Sequence, residues 1–298
     1  MSNARDLADL ADDATTVPTT GAPNPNLIIN GGFTVNQRTY VSTTATADGT
    51  YMHDRWRSGT ANSSYLFSTA SPASPQTVTI AANDSIEQVI EGSTVGTAGT
   101  HTISWTGTAT ARGVVNTQTM SGNFAVSPIT VTAVLDQVIT LQFTGADAAG
   151  GSTIATDTGT LGKVKCELGT SATAFVHESY GETLAKCQRY YWHTNLLQGT
   201  RLFGAVYDAT NTQGHRTTFP VEMRGTTGPT ASFTSSVFRA AAKGTVHDST
   251  ITMNITTDQW GFQANINPMS AGTRGEGMHI IDNGGTTTTG DIQFDAEL

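Results

Sequence analysis

The chain has 298 residues and a formal net charge of −9, and only 13% of its residues are charged. That fraction is about half the ~25% of an ordinary soluble domain, so Thr, Ser, Asn and Gln supply most of the polarity, and Thr favours strands. The negative charge argues against a nucleic-acid partner and against anionic membranes, because both are bound mainly through Lys and Arg. No run approaches the ~20 apolar residues of a membrane span, so we also expect no membrane insertion.

A short helix is predicted over residues 2–13, where small apolar side chains recur at helical spacing after a capping Ser2 or Asn3. About three turns are marginal in isolation, so we expect this helix to dock on another protein or to trimerise. A frayed terminus is the alternative. Together with the Pro/Gly/Thr-rich linker that follows, the helix forms a predicted anchor segment, residues 1–25. The anchor residues are Ala4, Leu7 and Leu10.

The globular part is predicted to begin at residue 26. The segment 26–29, with the apolar run Leu27–Ile29, predicts a buried strand, and Gly31 and Gly32 predict a turn. Short strands separated by Gly, Asn or Pro then recur about every 10 residues, a rhythm typical of a β-sandwich or jelly roll. These strands are predicted at 76–81, 85–90, 101–108, 113–115, 129–134, 138–143 and 162–168.

A second β-rich unit is predicted after a short helical bridge over 178–186. Its strands are predicted at 187–193, 203–207, 216–224, 230–235, 249–255, 260–266 and 291–298. The last of these would be an edge strand in need of cover, which a neighbouring subunit could supply. The predicted fold class is all-β: an N-terminal anchor helix and linker over 1–25, a jelly-roll β-sandwich over 26–180, and a smaller β-sandwich-like domain over 181–298.

Several short motifs resemble those of jelly-roll domains in bacteriophage tail and fibre proteins, domains that are similar to carbohydrate-binding modules. They occur in order as NLIINGGF at 26–33, NQR at 36–38, DRW at 54–56, KCELG at 165–169, ATAF at 172–175 and YGE…CQRYY at 180–191. A further stretch, FPVEMR at 219–224, resembles part of the C-terminal units of phage fibres.

The resemblance implies a structural virion protein of a tailed bacteriophage, a tail fibre that binds the host surface, with a glycan as the expected receptor. It implies a homotrimer that contacts other virion proteins through its N-terminal segment. The N-terminus lacks the basic and apolar regions of a signal peptide, which fits a protein made in the host cytoplasm and carried on the particle. A capsid-attached head fibre or decoration protein is the alternative.

No catalytic motif is present in the sequence, so we expect no enzyme and no cofactor. Nucleophile elbows, P-loops and dinucleotide fingerprints are missing, and the seven His residues lack the spacing of a metal site. A polysaccharide depolymerase is a second alternative, because glycoside hydrolysis needs only two carboxylates. Glu87, Glu91 and Glu167 lie on or beside predicted strands, where Arg55 and Arg112 are plausible partners, and salt bridges are the favoured interpretation.

Six aromatic residues are candidates for ligand or subunit contacts. For Trp56, beside Asp54 and Arg55, a core or corner role is favoured over a sugar platform. Neighbouring strand residues point to opposite faces, so two of the four rings at 190–193 should be available for an interface. The full set is Trp56, Tyr190, Tyr191, Trp192, Tyr207 and Trp260.

The two cysteines, Cys166 and Cys187, could pair across the boundary between the two units. In a protein made in a reducing cytoplasm, small buried free thiols are the favoured interpretation.

We expect the purified protein to have about three times the 31.2 kDa mass of one chain in solution, because a trimer would cover the edges that short strands leave open. Light scattering coupled to size exclusion checks this. A chain lacking residues 1–25 is the control for the part that the anchor plays. A monomeric full-length protein would contradict the trimer.

Overall fold

The computed structural model of the protein describes residues 24–68, 74–196, 201–206, 212–214, 216–225, 228–233, 238–242, 245–248, 253–266, 277–282 and 290–297. Antiparallel strands dominate these residues, with one α-helix among them, which confirms the all-β class. The predicted anchor residues Ala4, Leu7 and Leu10 lie outside the described residues, and so does Tyr207.

Two antiparallel sheets make up the first unit. In chain order the strands are β1 (Arg57–Ser58), β2 (Tyr65–Leu66), β3 (Thr77–Ile80), β4 (Ser85–Ile90), β5 (Gly99–Thr106), β6 (Thr110–Val115), β7 (Ile129–Ala133), β8 (Ile139–Thr144) and β9 (Gly159–Leu168). One sheet has the order β1-β4-β8-β6 and the other β2-β3-β9-β5-β7. Short 3-10 turns at Gly92–Thr94 and Ala146–Ala148 follow β4 and β8.

The two sheets share one apolar core, so this unit is a sandwich. On β8, Ile139, Leu141 and Phe143 alternate into the apolar core, while the residues between them are polar and lie on the opposite face. Val78 on β3 and Leu161 on β9 enter the same cluster from the other sheet. The predicted strands of this unit are confirmed within about three residues at each end, a normal error for boundaries set by hydrogen bonds.

The predicted strand at 26–29 is wrong, because hydrogen bonds to Asn side chains take the place of a regular ladder with a neighbouring strand there. Asn26 Oδ1 accepts hydrogen bonds from the backbone N–H groups of Ile28 (3.0 Å) and Cys166 (2.9 Å). Asn30, at a φ of 59°, accepts from two backbone N–H groups further along and closes a turn. Gly31 then lies so close to β9 that a Cβ would meet the Val164 carbonyl oxygen at 2.2 Å. Asn side chains that bond the backbone favour turns over strands.

The predicted helical bridge is a full helix, α1 (Tyr180–Gln188). Ser179 caps its N-terminus through a capping box with Glu182. The predicted strand at 187–193 therefore begins later, at Tyr191, because Cys187 turns inward as part of the helix. Cys166 and Cys187 are both free and buried, which confirms the free thiols.

Among its described residues, the second unit contains three antiparallel sheets. Its strands are β10 (Tyr191–Leu196), β11 (Arg201–Val206), β12 (Thr212–Gly214), β13 (Arg216–Thr218), β14 (Thr230–Phe233), β15 (Phe238–Ala242), β16 (Thr245–Asp248), β17 (Met253–Asp258), β18 (Gly261–Ile266), β19 (Gly277–Asp282) and β20 (Gly290–Asp295). Their orders are β10-β20-β14, β12-β11-β19-β15-β16 and β13-β18-β17.

Two predictions about this unit are corrected. The strand predicted over 216–224 ends at Thr218, because Pro220 cannot donate to a ladder and Phe219 turns into an apolar cluster. The closing strand is not an edge: β20 lies between β10 and β14 and pairs with both. Within its own sheet, therefore, β20 needs no cover from a neighbouring subunit.

A ring cluster forms the core of the second unit. Trp192 stacks on Phe294 with ring centroids 5.5 Å apart and meets Phe219 edge-on, also at 5.5 Å. Phe262 lies 4.6 Å from Phe294. Aromatic pairs at these distances stabilise a core by about 0.5–1.5 kcal/mol beyond the area they bury.

The end of β20 contacts the sandwich through buried ion pairs. Arg55, whose side chain is 1% exposed, pairs with Glu297, which is 4% exposed, and also donates to the Val89 carbonyl. Arg38 Nη1 lies 3.0 Å from Asp295 Oδ2, and its Nη2 lies 3.3 Å from Glu297 Oε1. One carboxylate near the C-terminus thus serves two arginines of the first unit.

Replacing Glu297 by Gln should lower the free energy of unfolding by about 3–5 kcal/mol, because it leaves the buried guanidinium of Arg55 without a carboxylate. Urea unfolding followed by tryptophan fluorescence measures the change. Glu178→Gln is the matched control, since its partner Lys186 is 46% exposed and an exposed pair contributes about 1 kcal/mol or less. Equal, small effects of the two variants would show that the buried pair does not stabilise the fold.

Candidate functional site: a polar groove on the four-stranded sheet

Four polar side chains form one row across the outer face of the β1-β4-β8-β6 sheet. Arg57 on β1 pairs in register with Glu87 on β4, Glu87 with Gln142 on β8, and Gln142 with Arg112 on β6. Their neighbours along the strands, such as Leu141, point into the core. Because strand side chains alternate between faces, the row points away from the core.

Hydrogen bonds join the row from end to end. Arg57 Nε and Nη2 donate to Glu87 Oε2 at 3.1 and 2.9 Å. Gln142 Nε2 donates to Glu87 Oε1 at 2.8 Å, and Gln142 Oε1 accepts from Arg112 Nε at 2.9 Å. Each side chain is therefore oriented by its neighbours before any ligand arrives, which lowers the entropy cost of binding.

Arg112 is fixed from several sides. Its Nη1 donates to the carbonyls of Gly122 (3.1 Å) and Ser152 (3.0 Å), and its guanidinium carbon lies 4.3 Å from the centroid of the Phe124 ring. A planar guanidinium that both hydrogen-bonds and lies on a ring is held in one plane. Arg112 therefore ties the loops beside the sheet to the row.

The row is the floor of an open groove of about 350 Å³. That volume is at the lower end of the ~300–1,000 Å³ typical of small-molecule sites. Gly59 keeps the floor accessible, because a Cβ there would lie 2.8 Å from Glu87 Cγ. The remaining lining side chains are Asp48, Thr60, Gln118, Met120 and Ile154.

A second cavity lies beside Asn26 and His177. Its volume is about 20 Å³, which is room for one water molecule.

The charges of the groove are balanced. Two guanidiniums, Arg57 and Arg112, and two carboxylates, Glu87 and Asp48, line it. Burial raises the pKa of Glu87 and outweighs the opposing effect of Arg57. Both oxygens of Glu87 already accept hydrogen bonds, so the arrangement suits the binding of a polar ligand better than proton transfer.

The pairing expected for the three glutamates is partly corrected. Glu87 pairs with Arg57 and not with Arg55. The partner of Arg55 is Glu297. Glu91 accepts from the Tyr190 hydroxyl at 2.7 Å. Glu167 lies 3.0 Å from Lys165 in another buried pair. All three are in salt bridges or charge-assisted hydrogen bonds, as the favoured interpretation held.

The structure assigns Trp56 to the core. The ring is completely buried, stacks on Phe33 at 4.6 Å, and donates from Nε1 to the Asn30 carbonyl at 2.9 Å. No face of Trp56 is open to a sugar, so its place among the ligand candidates is corrected in favour of the core role.

The aromatic run after α1 is used within the chain. Tyr190 and Tyr191 are both buried, and the guanidiniums of Arg55 and Arg38 lie 3.7 and 3.8 Å from their ring centroids. Tyr190 precedes β10, so strand alternation does not apply to it. Trp192 is half-buried in the ring cluster of the second unit. These rings connect the two units of one chain.

Trp260 is the predicted contact residue that the structure leaves most open. It is 53% exposed and lies in the turn between β17 and β18. Asp258 Oδ1 accepts from the backbone N–H groups of Trp260 and Gly261, and Asp258 also pairs with Arg216 at 2.6 Å. The turn therefore presents the indole from a fixed backbone.

No protein-family model matches the chain, and a search of curated proteins found no match in sequence. Among the described residues, no group of three or more His, Cys, Asp or Glu side chains is placed to hold a metal ion. In the same part of the chain, no helix has both the length and the apolar character needed to cross a membrane.

Asp54, the first residue of the DRW motif, is buried and accepts two hydrogen bonds from Gln37, at 2.6 and 2.7 Å. Burial nevertheless raises the pKa of its carboxyl to about 6. A raised carboxyl pKa contributes stability that is complete below the unfolded value near 4 and is lost as the pH rises through about 6.

The stability of the wild type relative to Asp54→Asn should therefore increase as the pH falls from 7 to 4. Urea unfolding at a series of pH values measures it. Asp258→Asn is the control, because the hydrogen bond from Arg216 lowers the pKa of Asp258 below its ordinary value of 3.8, so its contribution is lost only below about pH 4 and stays nearly constant over this range. A difference between wild type and Asp54→Asn that does not change with pH would contradict the raised pKa.

Proposed function

We propose that the protein is a non-enzymatic structural component of a tailed-phage virion, a tail fibre that binds a host-surface glycan in the groove of its first unit. The observation that carries the proposal is the row of Arg57, Glu87, Gln142 and Arg112. It is a rigid, polar floor in an open groove. A small number of oriented polar groups in a groove suits the hydroxyl groups of a sugar.

The binding interpretation is favoured over hydrolysis by how Glu87 is held. A glycosidase acid must reach the glycosidic oxygen, and a second carboxylate must face the sugar or a water. Here Glu87 is tied by three hydrogen bonds to Arg57 and Gln142. Releasing it as an acid would break a largely buried ion pair, which is costly.

The fold supports the same proposal. Two antiparallel sheets around one core are consistent with a jelly roll, the arrangement that the motifs imply. A weakly charged, Thr-rich surface makes contacts that depend little on salt. If residues 1–25 attach the chain to the particle as a trimer, several weak sites would act together and raise the avidity.

The proposal is tested by applying the labelled full chain to an array of bacterial surface glycans. We expect at least one glycan to bind, and Gln142→Ala to bind it about 10-fold more weakly, because the variant loses the Oε1 acceptor and the amide that orients Glu87 and Arg112. Thr132→Ala, an exposed position on the opposite sheet, is the matched control and should bind like the wild type.

Two results would contradict the proposal. An array without signal would indicate a head-fibre or decoration role without a glycan. Release of reducing ends from host polysaccharide, abolished by Glu87→Gln, would indicate a depolymerase.

A further inference from the structure

We infer that the groove selects an uncharged glycan and discriminates against uronic and sialic acids. The inference rests on the proposed function and concerns the ligand class of the same site. It depends on how the ionic groups of the floor are already paired.

The guanidiniums that would attract an acidic sugar already have acceptors. Arg57 donates through Nε and Nη2 to Glu87 and through Nη1 to Gln118 at 2.7 Å. Arg112 donates through Nε to Gln142 and through Nη1 to two backbone carbonyls. A carboxylate could form a bidentate pair only by displacing one of these acceptors and leaving it unpaired, a cost that offsets the new contact.

The net charge of the floor gives no compensating attraction. Arg57 and Arg112 are balanced by Glu87 and Asp48, so neither sign of ligand gains from the summed field. A cationic sugar would have to compete with Arg57 for Glu87.

A neutral hydroxyl meets no such penalty. It can donate to the remaining lone pairs of Glu87 and of Gln142 Oε1, and no existing pair needs to break. Met120 and Ile154 add apolar surface at the sides of the groove for the C–H groups of a pyranose ring. The site therefore fits an uncharged polyhydroxyl ligand.

The test uses matched neutral and acidic probes: galacturonate oligomers with their methyl esters, and sialyllactose with lactose, added to the array of bacterial glycans. We expect the bound glycans to be neutral, and the affinity of each to change less than twofold between about 50 and 500 mM NaCl. Glu87→Gln leaves the floor with an excess positive charge, so the ratio of acidic to neutral binding should rise about 10-fold or more.

The outcomes separate the two ideas. Groove-dependent binding of acidic glycans alone, weakening with salt, would overturn the neutral-ligand inference and leave the proposed function standing. No binding to any glycan would overturn the proposed function itself. The salt titration uses the wild-type protein, so the inference can be judged even if Glu87→Gln does not fold.

Discussion

The pairing of Arg55 with Glu297 is the interaction on which the connection between the two units depends. A guanidinium that is 1% exposed needs a carboxylate, and that carboxylate comes from the far end of the chain. Tyr190 covers the same guanidinium, so β10 and the end of β20 are both drawn to the sandwich. In a chain with few charges, ionic groups are thus placed where they determine which surfaces meet.

The position of the polar row on the outer face of the sheet is determined by strand register. A one-residue slip of β4 against β8 would turn Glu87 into the core and Ile86 into the groove. The alternation of Ile139, Leu141 and Phe143 prevents that slip, because those side chains need the apolar interior. The packing of the core therefore fixes the geometry of the groove on the opposite face of the same sheet.

The sequence was sufficient for the all-β class and for most strands of the sandwich, because alternation and turn residues are local signals. The sequence failed to predict the structure at 26–29, where the decisive contacts are made by Asn26 and Asn30 with partners that are distant in sequence.

The groove could not be predicted from the sequence for a related reason. Arg57, Glu87, Arg112 and Gln142 are far apart in the chain, and only strand register brings them together.

The central position of β20 has a consequence for how the protein reaches its final state. Both neighbours of β20 are made earlier, and β10 is about one hundred residues away, while Glu297 lies 242 residues from Arg55. Contacts of such long range form slowly, because a large loop must close before any of them stabilises the chain. During synthesis, β10, β14 and the arginines of the sandwich must wait for β20. Until β20 is made, the unpaired edges of β10 and β14 can associate wrongly with other growing chains.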